Sequence, residues 1–219
     1  TPHARLGVYR NGFGSADPTI VYLDRARRCA PNDQDVWYYA GRLRFEAGDW
    51  DAALADWKRS IELGGAQAES IVRKASSRLG PPELIETLLP PDRALLIRLA
   101  DAIYPKQGNE TPPEREVYLR RAAELWDAAR PGVTSELIRL AGLFRETKQY
   151  QKAIENYRRA VEREPSQVPW RLELVQTYRE AGDYAAAAEE LRKLIREERG
   201  TNEIKDLLKV VEREEKLKE

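Results

Sequence analysis

The feature that most constrains the fold is an interval of 34 residues that recurs along the sequence. The residue pairs with this spacing in the C-terminal half are Tyr150 and Tyr184, Ala153 and Ala187, Leu140 and Leu174, and Phe144 and Tyr178. Each repeated stretch is apolar at helical spacing, so one interval corresponds to two amphipathic helices joined by a short turn. Such a period predicts an all-α fold in which neighbouring helix pairs stack on one another.

The clearest copy of this unit extends from Asp35 to Leu63. Small residues occur where two helices must approach closely, and large apolar residues surround them at helical spacing. The small residues are Ala40, Gly41, Ala53 and Ser60, and the large ones are Trp37, Phe45, Trp50, Trp57 and Ile61. The short turn Ala47-Gly48-Asp49 between the two runs predicts an antiparallel helix pair.

This pattern resembles the tetratricopeptide repeat, whose signature runs Trp, Leu-Gly, Tyr, Ala, an aromatic residue and Pro over about 34 residues. The resemblance implies a right-handed superhelical solenoid of antiparallel helix pairs, with the first helix of each pair on the concave side. A related helical-repeat array stays open as an alternative, because other families also stack amphipathic helix pairs.

The 34-residue register divides the chain into three predicted segments. Two N-terminal repeats occupy residues 1–67, and the first of them is a worn copy. An irregular helical insertion occupies residues 68–92, where the register breaks and prolines bound a turn. Three further repeats and a C-terminal capping helix occupy residues 93–219.

Helix boundaries follow from the apolar periodicity and from the Gly, Pro and Asp residues between runs. The insertion is predicted to hold one helix, a proline-bounded turn and a short second helix. The other predicted helices are Thr1–Asn11, Pro18–Cys29, Ala94–Tyr104, Glu114–Ala129, Thr134–Thr147, Tyr150–Arg163, Pro169–Ala181, Tyr184–Arg196 and Glu203–Glu219.

The resemblance also implies which residues line the concave groove and bind a partner. These predicted site residues are Tyr38, Arg42, Phe45, Asp101, Tyr104, Arg145, Gln176 and Arg179, with Ile97, Ile138 and Leu172 beside them. Aromatic rings and arginines suit an extended peptide, because Arg binds carboxylates bidentately and Tyr offers large contact area. The alternative for each residue is an ordinary role in the surface or in packing between repeats.

Some members of the family bind acidic C-terminal peptides through a clamp of Lys and Asn on successive first helices. The corresponding positions here hold Tyr38, Arg42, Ile138, Gly142, Leu172 and Gln176. The clamp is therefore missing from the sequence, which disfavours a receptor of that type.

Composition excludes several other classes of function. The 37 basic and 37 acidic residues cancel, so no net charge favours binding to nucleic acid. No apolar run approaches the roughly 18 residues that indicate a membrane span. With Cys29 as the only cysteine and His3 as the only histidine, neither an internal disulfide nor a zinc site of nitrogen and sulfur ligands is expected. We expect no cofactor.

No catalytic constellation is evident in the sequence. Cys29 and His3 lie on different predicted helices, so a small, partly buried structural cysteine is the preferred interpretation of Cys29. Phosphate-binding glycine motifs are missing. Arg25, Arg27 and Arg28 form a short basic run, which is typical of a solvated helix face, with phosphate binding as the alternative.

The sequence thus predicts a non-catalytic scaffold that binds a protein or peptide in a concave groove. The alternative is a soluble repeat appendage of a larger enzyme, such as a bacterial membrane enzyme of polysaccharide assembly. Self-association through the end repeats is a third prediction. The chain has no Met and starts at Thr1, so we expect a processed protein or an excised fragment, and both a cytoplasmic and a periplasmic location stay open.

Overall fold

The computed structural model describes residues 19–106, 108, 110–197, 199 and 201–218. Within these residues, all regular secondary-structure elements longer than one residue are α-helices. The helices are α1 (Thr19–Cys29), α2 (Gln34–Glu46), α3 (Trp50–Glu62), α4 (Ala68–Ala75), α5 (Pro81–Thr87), α6 (Arg93–Ile103), α7 (Pro113–Ala128), α8 (Thr134–Glu146), α9 (Tyr150–Arg163), α10 (Val168–Glu180), α11 (Tyr184–Arg196) and α12 (Asn202–Lys218).

These bounds confirm the predicted all-α fold of paired helices. Most helix ends differ by no more than one residue from the prediction, and α9 and α11 have the predicted bounds. The insertion contains the two predicted helices, α4 and α5, and two prolines occupy the first positions of α5, where a missing N–H is tolerated. The predicted helix at residues 1–11 lies outside the described residues.

The chain forms two compact units, Thr1–Tyr118 and Leu119–Glu219, so the boundary falls within α7. We call them the N-terminal unit and the C-terminal unit. The predicted segment boundaries after residues 67 and 92 lie inside the N-terminal unit and remain a prediction.

Three hairpins, α2–α3, α8–α9 and α10–α11, share one turn geometry. Gly48 and Gly182 have φ angles of 83° and 75°, and Lys148 has a φ angle of 58° at the equivalent place. The left-handed region suits glycine, whereas a residue with a Cβ atom is strained there. After the two glycines, the Asp49 and Asp183 side chains accept hydrogen bonds from the N–H three residues later, at 3.3 and 3.1 Å, and so cap α3 and α11.

Close helix approach in the α2–α3 hairpin depends on Gly41. A Cβ atom added there would lie 2.4 Å from Trp57 Cδ1 and 3.0 Å from the Ala53 carbonyl oxygen. Trp57 and Ala53 are fully buried. The indole therefore packs closely against α2 at Gly41, and the predicted small-residue contact is present.

In each of the three hairpins, a polar side chain is buried three residues after a small alanine of the second helix. These residues are Asp56, Asn156 and Glu190, which are 2%, 3% and 9% exposed. A polar group removed from water costs free energy unless it is hydrogen-bonded, so the partners of these side chains decide their effect.

Asp56 joins three helices of the N-terminal unit. Its two carboxylate oxygens accept hydrogen bonds from Arg27 of α1, at 2.6 Å, and from Arg44 of α2, at 2.8 Å. Asp24 of α1 also pairs with Arg27. Burial raises the pKa of Asp56 above its ordinary value, although the two guanidinium groups oppose the shift.

Glu190 has partners within its own hairpin. It accepts a hydrogen bond from Arg171 Nε at 2.6 Å, and Arg171 Nη1 donates to Glu197, just after α11, at 2.6 Å. The Arg171 side chain is only 4% exposed. This ion-pair network therefore joins α10 to α11 without help from another repeat.

Two predictions for α1 need correction. Cys29 is exposed rather than partly buried, because it is the last residue of α1 and lies beyond Ala26, the last buried residue of that helix. Arg27 is not part of a solvated basic face, because it binds Asp56 and its guanidinium lies 5.1 Å from the Trp37 ring centroid. The charge of Arg27 is therefore already paired. The alternative phosphate site at Arg25, Arg27 and Arg28 thus loses its middle residue.

Candidate partner-binding surfaces

The predicted groove residues fall in both compact units, and each unit is described by itself. The N-terminal unit holds Tyr38, Arg42, Phe45, Asp101 and Tyr104. The C-terminal unit holds Arg145, Gln176 and Arg179. Their roles in binding remain predictions, and their surroundings show which are accessible.

Tyr38 of α2 is buried and contacts the insertion. The residue is 8% exposed, and its hydroxyl lies 2.9 Å from the Ser70 hydroxyl of α4, within hydrogen-bonding distance. Little of the ring is available to a partner, so a partner could contact only the small exposed part of Tyr38. The prediction placed this residue in the groove because the packing of the irregular insertion could not be derived from the repeat pattern.

Arg42 and Phe45 of α2 are half-buried. The Arg42 guanidinium lies 5.4 Å from the Tyr39 ring centroid, and its Nε lies 3.5 Å from Glu46. Phe45 belongs to an aromatic cluster with Trp50 and Trp57, at centroid separations of 5.9 and 5.4 Å. The α2–α3 turn therefore presents partly exposed rings supported by a fully buried one.

Sequence reasoning missed Arg78, which follows α4 and lies over this aromatic cluster. Its guanidinium carbon is 5.6 Å from the Phe45 ring centroid and 5.1 Å from the Trp50 centroid. Both distances are in the range of cation–π contacts. No repeat-based signal could have placed Arg78 there, because it belongs to the insertion.

Asp101 and Tyr104 lie at the end of α6. The exposed carboxylate of Asp101 pairs with Arg115 at 2.8 Å. The Tyr104 ring lies 5.8 Å from the buried Tyr118 ring. Both predicted groove residues thus contact the start of α7 within the N-terminal unit.

The two predicted groove arginines of the C-terminal unit are paired with glutamates of a later helix. Arg145 of α8 pairs with Glu173 of α10 and lies 3.8 Å from Glu180. Arg179 of α10 binds Glu214 of α12 through two hydrogen bonds of 2.9 and 2.7 Å. The hydrogen bonds from Arg179 lower the pKa of Glu214.

The pairs Arg145–Glu180 and Arg179–Glu214, which we call the ion-pair ladder, have a signal in the sequence. Glu180 follows Arg145 by 35 residues, and Glu214 follows Arg179 by the same interval, which is one repeat plus one residue. Equivalent positions of successive first helices are neighbours in this fold, so the interval predicts contact. A partner carboxylate would have to displace these glutamates to reach either arginine.

Gln176 also takes part in this network. Its Nε2 donates to Glu180 at 3.0 Å, and its Oε1 accepts from Arg179 at 3.0 Å. Ile138 and Leu172, at equivalent places on α8 and α10, are half-buried. The face of these helices therefore combines paired charges with partly exposed aliphatic side chains.

An open notch lies on α8 at Gly142. Apart from the helix backbone, a Cβ atom added there would meet only the Tyr157 hydroxyl, at 3.8 Å, an ordinary van der Waals distance. Burial raises the pKa of Tyr157 to about 12. The phenol therefore stays protonated at neutral pH and can donate a hydrogen bond into the notch.

Among the described residues no group of three or more His, Cys, Asp or Glu is placed to hold a metal ion. In the same part of the chain, no helix has the length and apolar character needed to cross a membrane.

Two models of the tetratricopeptide repeat family match the sequence, one at residues 35–63 and the other at residues 144–210. These two segments are tetratricopeptide repeats. The first match covers the α2–α3 hairpin, and the second begins in α8 and ends in α12. No curated protein is significantly similar to this repeat protein in sequence.

Solved structures of several other proteins align with most of this chain. TTC0263, a tetratricopeptide repeat protein of Thermus thermophilus, is 16% identical over 96% of this chain and 97% of its own, with a TM-score of 0.41. MamA from Desulfovibrio magneticus RS-1 is 18% identical over 92% and 98%, with a TM-score of 0.37. Yeast Tom70 is 15% identical over 98% of this chain with a TM-score of 0.35, and the chain spans about half (47%) of its length. Because these TM-scores are below 0.5, the family assignment rests on the two matched segments.

Repeats of this family generally act as non-catalytic scaffolds for protein–protein interaction. An interaction scaffold is therefore the function class that the family supports.

Proposed function

We propose that the chain binds an extended segment of a partner protein on the first-helix face of its C-terminal unit. The notch at Gly142 is the observation that carries this proposal. Glycine inside a helix lowers helix stability by about 1 kcal/mol relative to alanine, and no close contact requires it here. A small residue without a packing reason favours a role in admitting a ligand side chain.

The residues around the notch support the same role. Ile138 and Leu172 offer aliphatic contact, and the neutral Tyr157 hydroxyl offers a hydrogen-bond donor. Arg145 and Arg179 are already neutralised by glutamates. The surface therefore suits an aliphatic side chain on an extended segment better than a run of acidic residues.

A blocking substitution tests the proposal. Gly142→Trp should fill the notch, because a Cβ atom there meets only the Tyr157 hydroxyl, at an ordinary contact distance. Gln151→Trp is the matched control, since it adds the same indole at an exposed position of α9. Wild-type and variant chains would be used to retain proteins from extracts of the source organism, with quantification by mass spectrometry.

We expect at least one protein to be retained by the wild type and by Gln151→Trp but lost from Gly142→Trp. Equal retention by all three chains, with unchanged helical circular dichroism, would refute the proposed surface. Tyr38, Arg42, Phe45, Asp101 and Tyr104 remain proposed contacts of the N-terminal unit. The role as an appendage of a larger enzyme remains an untested alternative.

A further inference from the structure

An aromatic pair with an arginine over it lies on the N-terminal unit, at Phe45, Trp50 and Arg78. We propose that these three residues bind an acidic side chain, Asp or Glu, together with an apolar neighbour in an extended segment of a partner protein. The site is separate from the notch at Gly142, and its test does not depend on the outcome there.

The aromatic rings form a rigid platform. Phe45 lies near the end of α2 and Trp50 begins α3, and their ring planes are inclined by 59°. Trp57 lies beneath both rings, at centroid distances of 5.4 and 6.4 Å, and is fully buried. Phe45 and Trp50 are themselves only half-buried, so part of each ring remains accessible. A platform backed in this way loses little conformational entropy when a ligand binds.

Arg78 supplies a positive charge that the described part of the chain leaves without a carboxylate. Three other arginines of the N-terminal unit each have one: Arg44 lies 2.8 Å from Asp56, Arg59 lies 3.4 Å from Glu62, and Arg73 lies 3.0 Å from Glu69. Arg78 is exposed, and its described contacts are the two aromatic rings. A guanidinium held on an aromatic face keeps its N–H groups free to bind a carboxylate bidentately.

Nearby carboxylates on the α2–α3 turn are mostly engaged. Glu46 lies beside Arg42, and Asp49 caps α3 through the Ala52 N–H. Asp51 is exposed next to Trp50 and would repel an acidic ligand. The geometry thus fits one carboxylate at Arg78 and an apolar side chain on Phe45 and Trp50, and it disfavours a long polyacidic run.

The test uses two synthetic hexapeptide libraries in which all other positions vary. One library carries a fixed Glu-Phe pair and the other a fixed Gln-Phe pair, which has the same shape without the charge. Immobilised full-length chain would select from both libraries, and enrichment would be read by mass spectrometry. The variants are Arg78→Ala and Arg78→Lys, and Arg59→Ala serves as the control because it removes an exposed arginine that already has a carboxylate.

We expect the wild type and Arg59→Ala to enrich Glu-Phe over Gln-Phe at least fivefold. The preference should disappear in Arg78→Ala and be only partly kept in Arg78→Lys, because lysine retains the charge but not the planar stacking. Asp51→Asn should increase the preference. An equal yield of the two libraries from the wild type, or a Glu-Phe preference that persists in Arg78→Ala with an unchanged melting temperature, would overturn the proposal.

Discussion

The α2–α3 and α8–α9 hairpins share a repeat pattern but differ in what covers their first helix. At Gly41 the neighbouring indole closes over the α2 backbone, so the glycine is required for packing. One position later in the repeat register, at Gly142, the α8 backbone is open apart from the hydroxyl of Tyr157. A glycine in a repeat can therefore either permit close helix packing or leave an accessible notch. The sequence pattern alone does not distinguish these two cases.

The largest expected effect is the loss of closure in the α2–α3 hairpin. Gly41→Leu should lower the free energy of unfolding by about 3 kcal/mol, because the new side chain would overlap Trp57 and the α3 backbone. Gly142→Ala is the contrasting variant and should raise stability by up to about 1 kcal/mol through helix propensity. Urea unfolding followed by circular dichroism measures both. Similar changes in the free energy of unfolding for the two variants would contradict the different roles assigned to Gly41 and Gly142.

The buried carboxylates of the two units should also respond differently to removal. Asp56→Ala should destabilise the chain by about 2 kcal/mol, because among the described carboxylates Arg44 then keeps only Asp24, at 3.6 Å. Glu190→Ala should cost about 1 kcal/mol, since Arg171 keeps its hydrogen bond to Glu197. The same urea unfolding experiment compares them, and a larger loss for Glu190→Ala would contradict the assigned networks.

Acid should weaken α12 before it weakens α3. Glu214 has a pKa below its ordinary value of 4.5, so its contribution to stability is present above that pH and is lost as the pH falls through the lowered pKa. Asp56 has a raised pKa, so protonation relieves a cost instead. Hydrogen exchange measured by mass spectrometry, corrected for intrinsic rates, should therefore show earlier loss of protection in residues 202–218 than in residues 50–62.

Glu214→Gln provides the control for this acid response. The variant should have weaker protection in α12 at neutral pH, because the charge-assisted pair with Arg179 is lost. Its protection should then change less with acid than that of the wild type. An unchanged acid response in the variant would mean that another group governs the stability of α12.

The smallest expected effect concerns the turn of the α8–α9 hairpin. Lys148 has a φ angle of 58°, where the other two hairpins have glycine. Lys148→Gly should stabilise the chain by about 0.5 kcal/mol, because relief of left-handed strain exceeds the entropy cost of glycine. Thermal unfolding would detect the change as a small rise in melting temperature, whereas a fall would show that the lysine is not strained.

The helices could be predicted from the sequence because their boundaries are local. Gly48, Gly182 and the prolines of α5 stop or start helices through their own backbone preferences, whatever surrounds them. The exposure of predicted site residues is not local in this way. Buried Tyr38 contacts Ser70 of α4, and the position of α4 depends on an insertion without repeat register. Arg78 contacts rings more than 25 residues before it in sequence.

The ion-pair ladder is intermediate between the locally determined helix boundaries and the non-local exposure of the site residues. Arg145 and Glu180 are distant in sequence, but the repeat itself determines their separation, so the 35-residue interval is sufficient to predict the pair. The exposure of Cys29 could not be inferred in the same way, because it depends on which residue of α1 is the last to pack against the rest of the unit. Regular repeats therefore make some long-range contacts predictable, and irregular segments do not.

The buried carboxylates have a consequence for protein engineering by repeat exchange. Glu190 finds Arg171 within the same hairpin, so α10–α11 carries its own electrostatic compensation and is suited to transplantation into another repeat array. Asp56 relies on Arg27 from the preceding repeat, so α2–α3 moved alone would bring a buried acid with only part of its counter-charge. In a shuffled array, α1, α2 and α3 would have to be inherited together.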